Sequence, residues 1–329
     1  MTRVALPPWL LLVVGLLVVS ACDSTSPSSS FPEAPPVTAT TVTVSSDPLA
    51  LPGTLLTPDT NAAVPGVVLV HGSGAVNRNG QGPQARFPPV YKRWAERMAR
   101  HGLAVLRYDK RTTQPEIARA APQAVTFRDF VDDAVAAGRL LRNRPGVDPD
   151  RLVYVGHSQG GNVAPAAATR LGNVAGVAAL AAPAFAVDSL IVAQLRANPQ
   201  ISDSLAQAVR AQFDSLRTGP PPPDDRIEIG TGITGVPFWR QWIRHSQQAD
   251  SVAAALAPPL FVQQGRADAH YPDETLSRNI AAWRRIADRD NTTLRTYDGV
   301  THRFLDADTP TTASAPLDDL ISWIRNRDE

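Results

Sequence analysis

The chain has 329 residues, a length that suits one large α/β domain as well as two average domains. Hydrophobic residues make up 43% of it and charged residues 19%, a composition that excludes a largely disordered chain and supports a sizeable core. The 32 basic and 31 acidic residues nearly balance, so the charge gives no indication of a nucleic-acid partner.

The first 22 residues have the layout of a bacterial export signal. Arg3 is followed by an apolar run from residue 9 to residue 19 and then by small residues. The stretch Val19-Ser20-Ala21-Cys22 resembles a lipobox, which implies lipidation of Cys22. An uncleaved anchor helix and a plain signal with an incidental cysteine are the alternatives. We expect an exported protein, held to a bacterial membrane on its periplasmic or cell-surface side.

Residues 23–37 are rich in serine and proline and predict a disordered tether. From residue 38 the sequence TATTVTVSS alternates β-branched residues, which predicts a strand. We therefore place a folded domain at residues 38–329.

Short apolar runs then alternate with segments of helical period. Six runs predict strands: 66–71, 103–109, 152–156, 176–182, 259–265 and 293–299. Continuous apolar strands that alternate with helices are typical of a parallel sheet with helices on both faces. Residues 126–142 carry an apolar helical stripe, and Thr126 and Asp129 are spaced as a capping box. The fold class predicted is α/β with a mostly parallel central sheet.

One interval, about residues 186–257, is too long for a single crossover helix. It contains a helical stretch at 187–217, the breaker GPPPPDD, and a cluster formed by Phe238, Trp239 and Trp242. We predict an inserted helical cap. The aromatic cluster either lines an acyl pocket or packs the cap against the core.

The sequence Gly156-His157-Ser158-Gln159-Gly160 fits the pattern G-x-S-x-G between a strand and a helix. Glycines suit a sharp turn in which a side chain at Gly156 or Gly160 would collide with a neighbouring element. Such a turn exposes the Ser158 hydroxyl as a nucleophile and directs the Gln159 N–H toward a developing oxyanion. A glycine-rich helix start with an incidental serine is the alternative.

A nucleophilic serine needs a base and an acid. His302 follows the last predicted strand, and Asp268 follows the strand at 259–265, so both reach the same sheet edge as Ser158. Asp273 is the rival acid, although its position suits the start of a helix near Pro272. The order Ser158, Asp268, His302 matches α/β-hydrolases.

Four other histidines receive different interpretations. His157 lies within the turn and is expected to shape it, whereas His101 ends a helix as a cap residue. His245 falls in the cap. His71 opens the loop His71-Gly72-Ser73-Gly74, where the Ser73 N–H is expected to supply a second oxyanion donor; a simple glycine turn is the alternative.

These motifs resemble the α/β-hydrolase superfamily. The resemblance covers residues from about 50 to 329 through VVLVHGSGAVNRNG, AVLRYDKR, GHSQGG, QGRADAHYP and GVTHRF. Within the superfamily, the motifs look like those of bacterial esterases and serine-peptidase-like hydrolases related to dienelactone hydrolases and the prolyl oligopeptidase group. The resemblance implies Ser158 as nucleophile, His302 as base and Asp268 as acid, with no metal or organic cofactor. Thr112-Thr113-Gln114-Pro115 departs from the small residues usual after DKR, which places the substrate in question.

The function predicted is hydrolysis of small or short-chain carboxylic esters through an acyl-enzyme. A serine peptidase is the alternative; the roughly 16 residues between Cys22 and the first strand leave no room for a peptide-binding propeller. A catalytically inactive hydrolase fold that only binds ligands is a third possibility, because a fold does not dictate function. The expected partners are a small-molecule ester and the membrane lipid.

Overall fold

The structure is a computed structural model that describes residues 34–83, 88–115, 117, 124–219, 235–288, 291–309 and 311–327. Residues 34–329 belong to one structural unit. The export signal, Cys22 and the tether up to residue 33 lie outside the described residues. Within the described part of the chain, no helix is both long and apolar enough to cross a membrane.

A central sheet organises the described residues, and its strands run in the order β1-β2-β4-β3-β5-β6-β7-β8. The strands are β1 (Val37–Ser46), β2 (Leu49–Pro58), β3 (Val64–Val70), β4 (Ala104–Tyr108), β5 (Val147–His157), β6 (Gly176–Leu180), β7 (Leu260–Gly265) and β8 (Thr292–Tyr297). β1 pairs with β2, and β2 with β4, in antiparallel fashion, whereas all pairs from β4 to β8 are parallel. The predicted mostly parallel sheet is confirmed.

β2 is the strand that the sequence patterns did not predict. Pro52 and Gly53 interrupt it, and both residue types are unfavourable in strands. A Cβ at Gly53 would lie 3.0 Å from a Val42 methyl and 3.1 Å from the Arg107 carbonyl oxygen. The glycine thus permits close approach of β1 and β4 on either side.

Helices cover both faces of the sheet. They are α1 (Val90–Arg100), α2 (Phe127–Arg142), α3 (Gly160–Leu171), α4 (Val187–Ala197), α5 (Asp203–Thr218), α6 (Val236–Gln247), α7 (Ala249–Ala255), α8 (Asp273–Ala287) and α9 (Ser314–Arg325). α1 and α9 pack on one face, and α2, α3 and the buried side of α8 on the other. The predicted capping box of α2 is present, with Thr126 and Asp129 bonding to each other's backbone.

The segment between β6 and β7 contains α4, α5, α6 and α7, which we call the cap. The helical stretch predicted at 187–217 forms two helices, because α4 ends at Ala197 and α5 begins at Asp203. Pro199 lacks the N–H that a continuous helix needs, and the Ser202 hydroxyl caps the new start by accepting from the Leu205 N–H. Most of the breaker run lies outside the described residues.

The sheet topology determines where polar side chains meet. β4 lies on one side of β3, and β5, the next strand in the chain, lies on its other side. The order in which the chain adds strands to the sheet therefore reverses at β3. In open parallel sheets, loops at the carboxyl ends of the strands form the ligand site beside such a reversal. The loops after β3, β5, β7 and β8 end at this edge, and we call these four loops the frame.

Candidate active site

Ser158 follows β5 directly and has a left-handed backbone, with φ of +54°. Its N–H donates to the Leu180 carbonyl oxygen at 2.7 Å, which fixes the turn to the neighbouring strand. A Cβ at Gly156 would lie 2.1 Å from the Gly160 oxygen, and one at Gly160 would lie 2.3 Å from the Val70 oxygen. Only glycine fits at these two positions, as the G-x-S-x-G pattern predicted. A serine held at positive φ is strained, a feature that clusters at functional sites.

His302 and Asp268 form a buried hydrogen-bonded pair. His302 Nδ1 lies 2.8 Å from Asp268 Oδ2. The carboxylate is 2% exposed, and it also accepts from Gln264 Nε2 at 2.8 Å and from the His270 N–H at 3.0 Å. An ionised carboxylate accepts only, so Nδ1 carries the proton and Nε2 is left as the basic nitrogen.

Ser158 and His302 line the same cavity of about 100 Å³. Among the described residues, no hydrogen bond joins the Ser158 hydroxyl to the His302 ring. Catalytic hydrogen bonds are often long in unliganded enzymes and tighten around the substrate. The geometry therefore brings the three predicted triad residues to one site, with the acid–base half already bonded.

Two backbone N–H groups beside Ser158 lack acceptors. In the described part of the chain, neither the Ser73 N–H nor the Gln159 N–H donates to a protein acceptor. Gly72 lies against Ser158, because a Cβ on Gly72 would be 3.4 Å from the Ser158 Cβ. Gln159 is buried, and backbone N–H groups are rarely left unpaired in a protein interior, whereas Ser73 is exposed. A pair of free donors at a nucleophile is the arrangement that an oxyanion hole requires.

His157 connects the two sides of the site, a role that its position in the motif only hinted at. Its Nε2 lies 2.8 Å from the His302 carbonyl oxygen and its Nδ1 lies 2.9 Å from the Tyr91 hydroxyl. The Tyr91 oxygen in turn accepts from the Gly72 N–H at 3.0 Å. Burial lowers the pKa of His157 well below its ordinary value, so the ring is neutral. Nε2–H therefore donates to His302, and Nδ1 accepts from Tyr91.

His270 is a site residue that the sequence did not reveal. Its ring stacks on His302 at 4.1 Å between centroids, and partial desolvation of the ring together with the neighbouring His302 lowers its pKa to about 4, although the residue as a whole is exposed. Asp268, His270 and His302 offer metal-ligating atoms within 4.8 Å of one another. A cation bound through His302 Nδ1 would displace the bond to Asp268. His270 lies in the turn sequence DAHYP, which has no strand or helix periodicity that could have indicated a site residue.

The three cap aromatics separate into two roles. Trp242 lines the cavity and donates through Nε1 to Asn162 Oδ1 at 3.1 Å. Phe238 and Trp239 do not line it; they pack with Phe213 and Phe130 in the interior of the cap and its contact with α2. Of the two roles predicted for the aromatic cluster, Phe238 and Trp239 therefore have the packing role and not the role of lining a pocket.

The remaining predicted positions lie elsewhere. His101 is the C-cap residue of α1, and α8 begins at Asp273, as expected. His245 packs against Phe127 in the interface between the cap and α2. His71 is buried, donates to the Tyr108 carbonyl oxygen, and has its pKa lowered to about 3, chiefly by burial.

Comparison with known families identifies the family of this chain. A family model described as serine aminopeptidase, S33 (Hydrolase_4) matches residues 89–309. The chain belongs to the Hydrolase_4 family. A curated relative, esterase EstD of Thermotoga maritima, is 26% identical over 258 residues, which are 77% of this chain and 57% of the relative. The chain thus spans little more than half the length of that relative.

Solved structures show the same fold as this Hydrolase_4 member. Dienelactone hydrolase from Anabaena variabilis has a TM-score of 0.55 at 18% identity, over 88% of this chain and 97% of its own. Carboxyl esterase 2 from the fungus Tuber melanosporum has a TM-score of 0.59 at 14% identity, over 91% and 89%. The α/β-hydrolase fold predicted from the motifs is confirmed.

Proposed function

We propose that the protein hydrolyses small carboxylic esters through an acyl-enzyme formed on Ser158. One observation supports this most directly: a serine at positive φ shares a cavity with His302, beside two free backbone N–H groups. Each feature alone also occurs in structural turns. Together they provide a nucleophile, a base with a fixed tautomer and donors for an oxyanion.

The reaction follows from these groups. His302 Nε2 takes the Ser158 proton while Oγ attacks the ester carbonyl carbon, and the carbonyl electron pair moves onto its oxygen. The Ser73 and Gln159 N–H groups stabilise this oxyanion. When the tetrahedral intermediate collapses, the alkoxide leaves with the proton from His302. Water, deprotonated by His302, then attacks the acyl-enzyme and releases the acid, and Ser158 regains its proton.

The cavity supports a short acyl chain. Its volume is about 100 Å³, and its wall combines Ser73, Ser158, Pro183, Val187, Leu190, Ile191, Gln194, Trp242, His270, Tyr271 and His302. Apolar side chains from α4 and Trp242 from α6 form the side opposite the triad. An apolar wall of this size favours acyl groups of a few carbons over long chains.

The family description makes aminopeptidase activity the second candidate. An aminopeptidase must hold the protonated amino terminus of its substrate, most strongly with a carboxylate. The described lining of the cavity contains no acidic side chain, and the Asp268 carboxylate behind His302 is already bonded. This lining favours an uncharged acyl group.

A fluorophosphonate probe followed by a substrate panel tests the proposal. We expect labelling of the wild type and none of Ser158→Ala or His302→Ala, together with faster hydrolysis of p-nitrophenyl acetate and butyrate than of longer esters. Absence of wild-type labelling would favour a domain that only binds ligands. Faster cleavage of aminoacyl anilides than of the esters would establish the peptidase alternative.

We also propose that the mature protein is tethered to a bacterial membrane through a lipid on Cys22, with the residues between Cys22 and β1 as the tether. The export pattern of residues 1–22 and the single cysteine support this. Labelling of cells with a palmitate analogue should mark the wild type and leave Cys22→Ala unmarked and released from membranes. Equal membrane retention of Cys22→Ala would contradict the lipid anchor and favour an uncleaved helix.

A further inference from the structure

Lys110 is a buried lysine beside the site. It follows β4 and is 3% exposed, whereas the only other lysine, Lys92, has a side chain 51% exposed on α1. Its Nζ donates to the Gly72 carbonyl oxygen at 2.6 Å and to Gln159 Oε1 at 2.6 Å. Both partners are neutral oxygens, and both belong to residues of the proposed oxyanion hole or next to it.

The bond to Gly72 acts on the Ser73 N–H through peptide geometry. The Gly72 carbonyl and the Ser73 N–H belong to one planar trans peptide, so they point in opposite directions. Lys110 holds the carbonyl on the side away from the cavity. The Gly72 N–H is held as well, by the Tyr91 hydroxyl at 3.0 Å. With both neighbouring groups fixed, the Ser73 N–H has one direction.

The second bond acts on the other donor. The Gln159 backbone N–H is the second donor of the proposed oxyanion hole, while the side-chain oxygen of Gln159 accepts from Lys110. One amino group therefore bridges the loop after β3 and the turn after β5, which carry one oxyanion donor each. Residues 72, 110 and 159 lie far apart in the chain, so this bridge sets the spacing of donors that no local motif specifies.

The surroundings stabilise the amino group where it lies. Nζ is 4.4 Å from the centre of the Phe130 ring, a favourable cation–π position. Burial lowers the pKa of Lys110 to about 7, and the Asp133 carboxylate, itself bound to Arg111 at 2.6 and 2.8 Å, opposes that shift. The ammonium and the neutral amine both carry enough N–H groups for the two bonds.

We propose that Lys110 is the positioning residue of the oxyanion hole, holding the Ser73 and Gln159 donors at the spacing that the tetrahedral oxyanion needs. The inference rests on the proposed function. Because the oxyanion forms only in the transition state, loss of this bridge lowers kcat and leaves KM nearly unchanged. A residue needed only for folding would instead reduce the amount of active protein.

The test uses Lys110→Met, which keeps an unbranched apolar chain over Phe130 and removes the donor. Active sites are counted by complete fluorophosphonate labelling, so kcat refers to folded enzyme. We expect kcat for p-nitrophenyl acetate to fall about 10- to 100-fold, less than or similar to the loss of one oxyanion donor, with KM within about threefold. Binding of a short-chain trifluoromethyl ketone, whose adduct carries an oxyanion, should weaken by a similar factor.

Two further variants keep the test decisive. Lys92→Met, the same substitution on the surface of α1, should retain the wild-type kcat. Lys110→Gln retains an amide N–H toward Gly72 and should give an intermediate kcat, and it serves if Lys110→Met does not fold.

The outcomes separate this inference from the proposed function. A labelled, active wild type whose Lys110→Met variant keeps kcat within twofold overturns the inference alone, and so does a loss that appears mainly as a raised KM. A wild type that is neither labelled nor active overturns the proposed function and this inference with it.

Discussion

The frame and the cap enclose the same cavity in different ways. The frame is held by short polar contacts from buried groups, such as His302 to Asp268 and His157 to Tyr91. The cap contributes mostly apolar side chains to the cavity. Gln194 of the cap donates to the His270 carbonyl of the frame at 2.7 Å, and Trp242 donates to Asn162 on α3.

This difference separates chemistry from selectivity. Directional bonds fix atoms to within the tolerance that proton transfer needs, whereas apolar packing constrains volume and lets side chains be exchanged. Substitutions in the frame should therefore change kcat or the stability of the fold, and substitutions in the cap should change which acyl group is preferred.

The most severe test of the frame is Asp268→Asn. The amide would favour the wrong tautomer of His302, so we expect kcat to fall about 10⁴-fold with little change in the free energy of unfolding. Asp298→Asn, at a carboxylate 93% exposed in its side chain, is the matched control and should keep full activity. Steady-state ester hydrolysis measures both; a loss below tenfold would remove Asp268 from the proposed triad.

Gly156→Ala tests whether close backbone contacts hold the turn at residues 156–160, which we call the elbow. Its new Cβ would meet the Gly160 oxygen at 2.1 Å, so the free energy of unfolding should fall by about 3 kcal/mol or more. At Gly82 the nearest atom would lie 3.8 Å away, and Gly82→Ala should unfold in urea much as the wild type does. Equal urea midpoints for the two variants would show that the elbow can relax around a side chain.

Acid should weaken the frame through its buried imidazoles. His71 has an ordinary pKa of 6.5 in the unfolded chain and about 3 when folded, so below pH 6.5 the unfolded state binds the extra proton. Stability contributed by neutral His71 is thus lost as pH falls, by about 1.4 kcal/mol per pH unit. In urea unfolding between pH 7 and 5, the wild type should lose about 2 kcal/mol more than His71→Gln. The control His101→Gln, at an exposed histidine, should lose as much stability between pH 7 and 5 as the wild type. If His71→Gln also loses as much as the wild type, His71 does not cause the loss of stability in acid.

The smallest effect is expected in the cap. Ile191 is buried in the cavity wall, and Ile191→Ala should enlarge the space for the acyl chain. The ratio of kcat/KM for butyrate over acetate esters should rise about fourfold for each additional methylene that becomes buried. Leu205→Ala, at a side chain 48% exposed on α5, should leave this ratio unchanged. A drop in kcat for all esters would instead place Ile191 among the groups that position the frame.

The sequence predicted what local backbone chemistry determines. The elbow glycines, the capping box of α2 and the strands ending before Ser158, Asp268 and His302 all depend on neighbouring residues, so a pattern can reveal them. β2 was missed because Pro52 and Gly53 obscure its strand propensity.

Residues that act across the fold gave weaker signals. Lys110 bonds to Gly72 and Gln159, 38 and 49 positions away, and Tyr91 bonds to His157, 66 positions away; no spacing rule links such partners. The charged run Asp109-Lys110-Arg111 directly after a buried strand was the available hint for Lys110. For Phe238 and Trp239 the sequence identified burial, but only the rotation of α6 about its axis determines which aromatic faces the cavity.

The chain leaves the sheet at Leu180, the end of β6, to build the cap and returns at Leu260, the start of β7. These two strands are adjacent and parallel, with Val177 opposite Leu260 and Leu180 opposite Gln263. The pairing of β6 with β7 therefore fixes both ends of the insertion whatever its content. Since the entropy of closing a loop grows only with the logarithm of its length, relatives can lengthen, shorten or replace this insertion at small cost to the sheet. New selectivities can thus arise by replacement of the insertion, while the residues of the proposed triad stay in place.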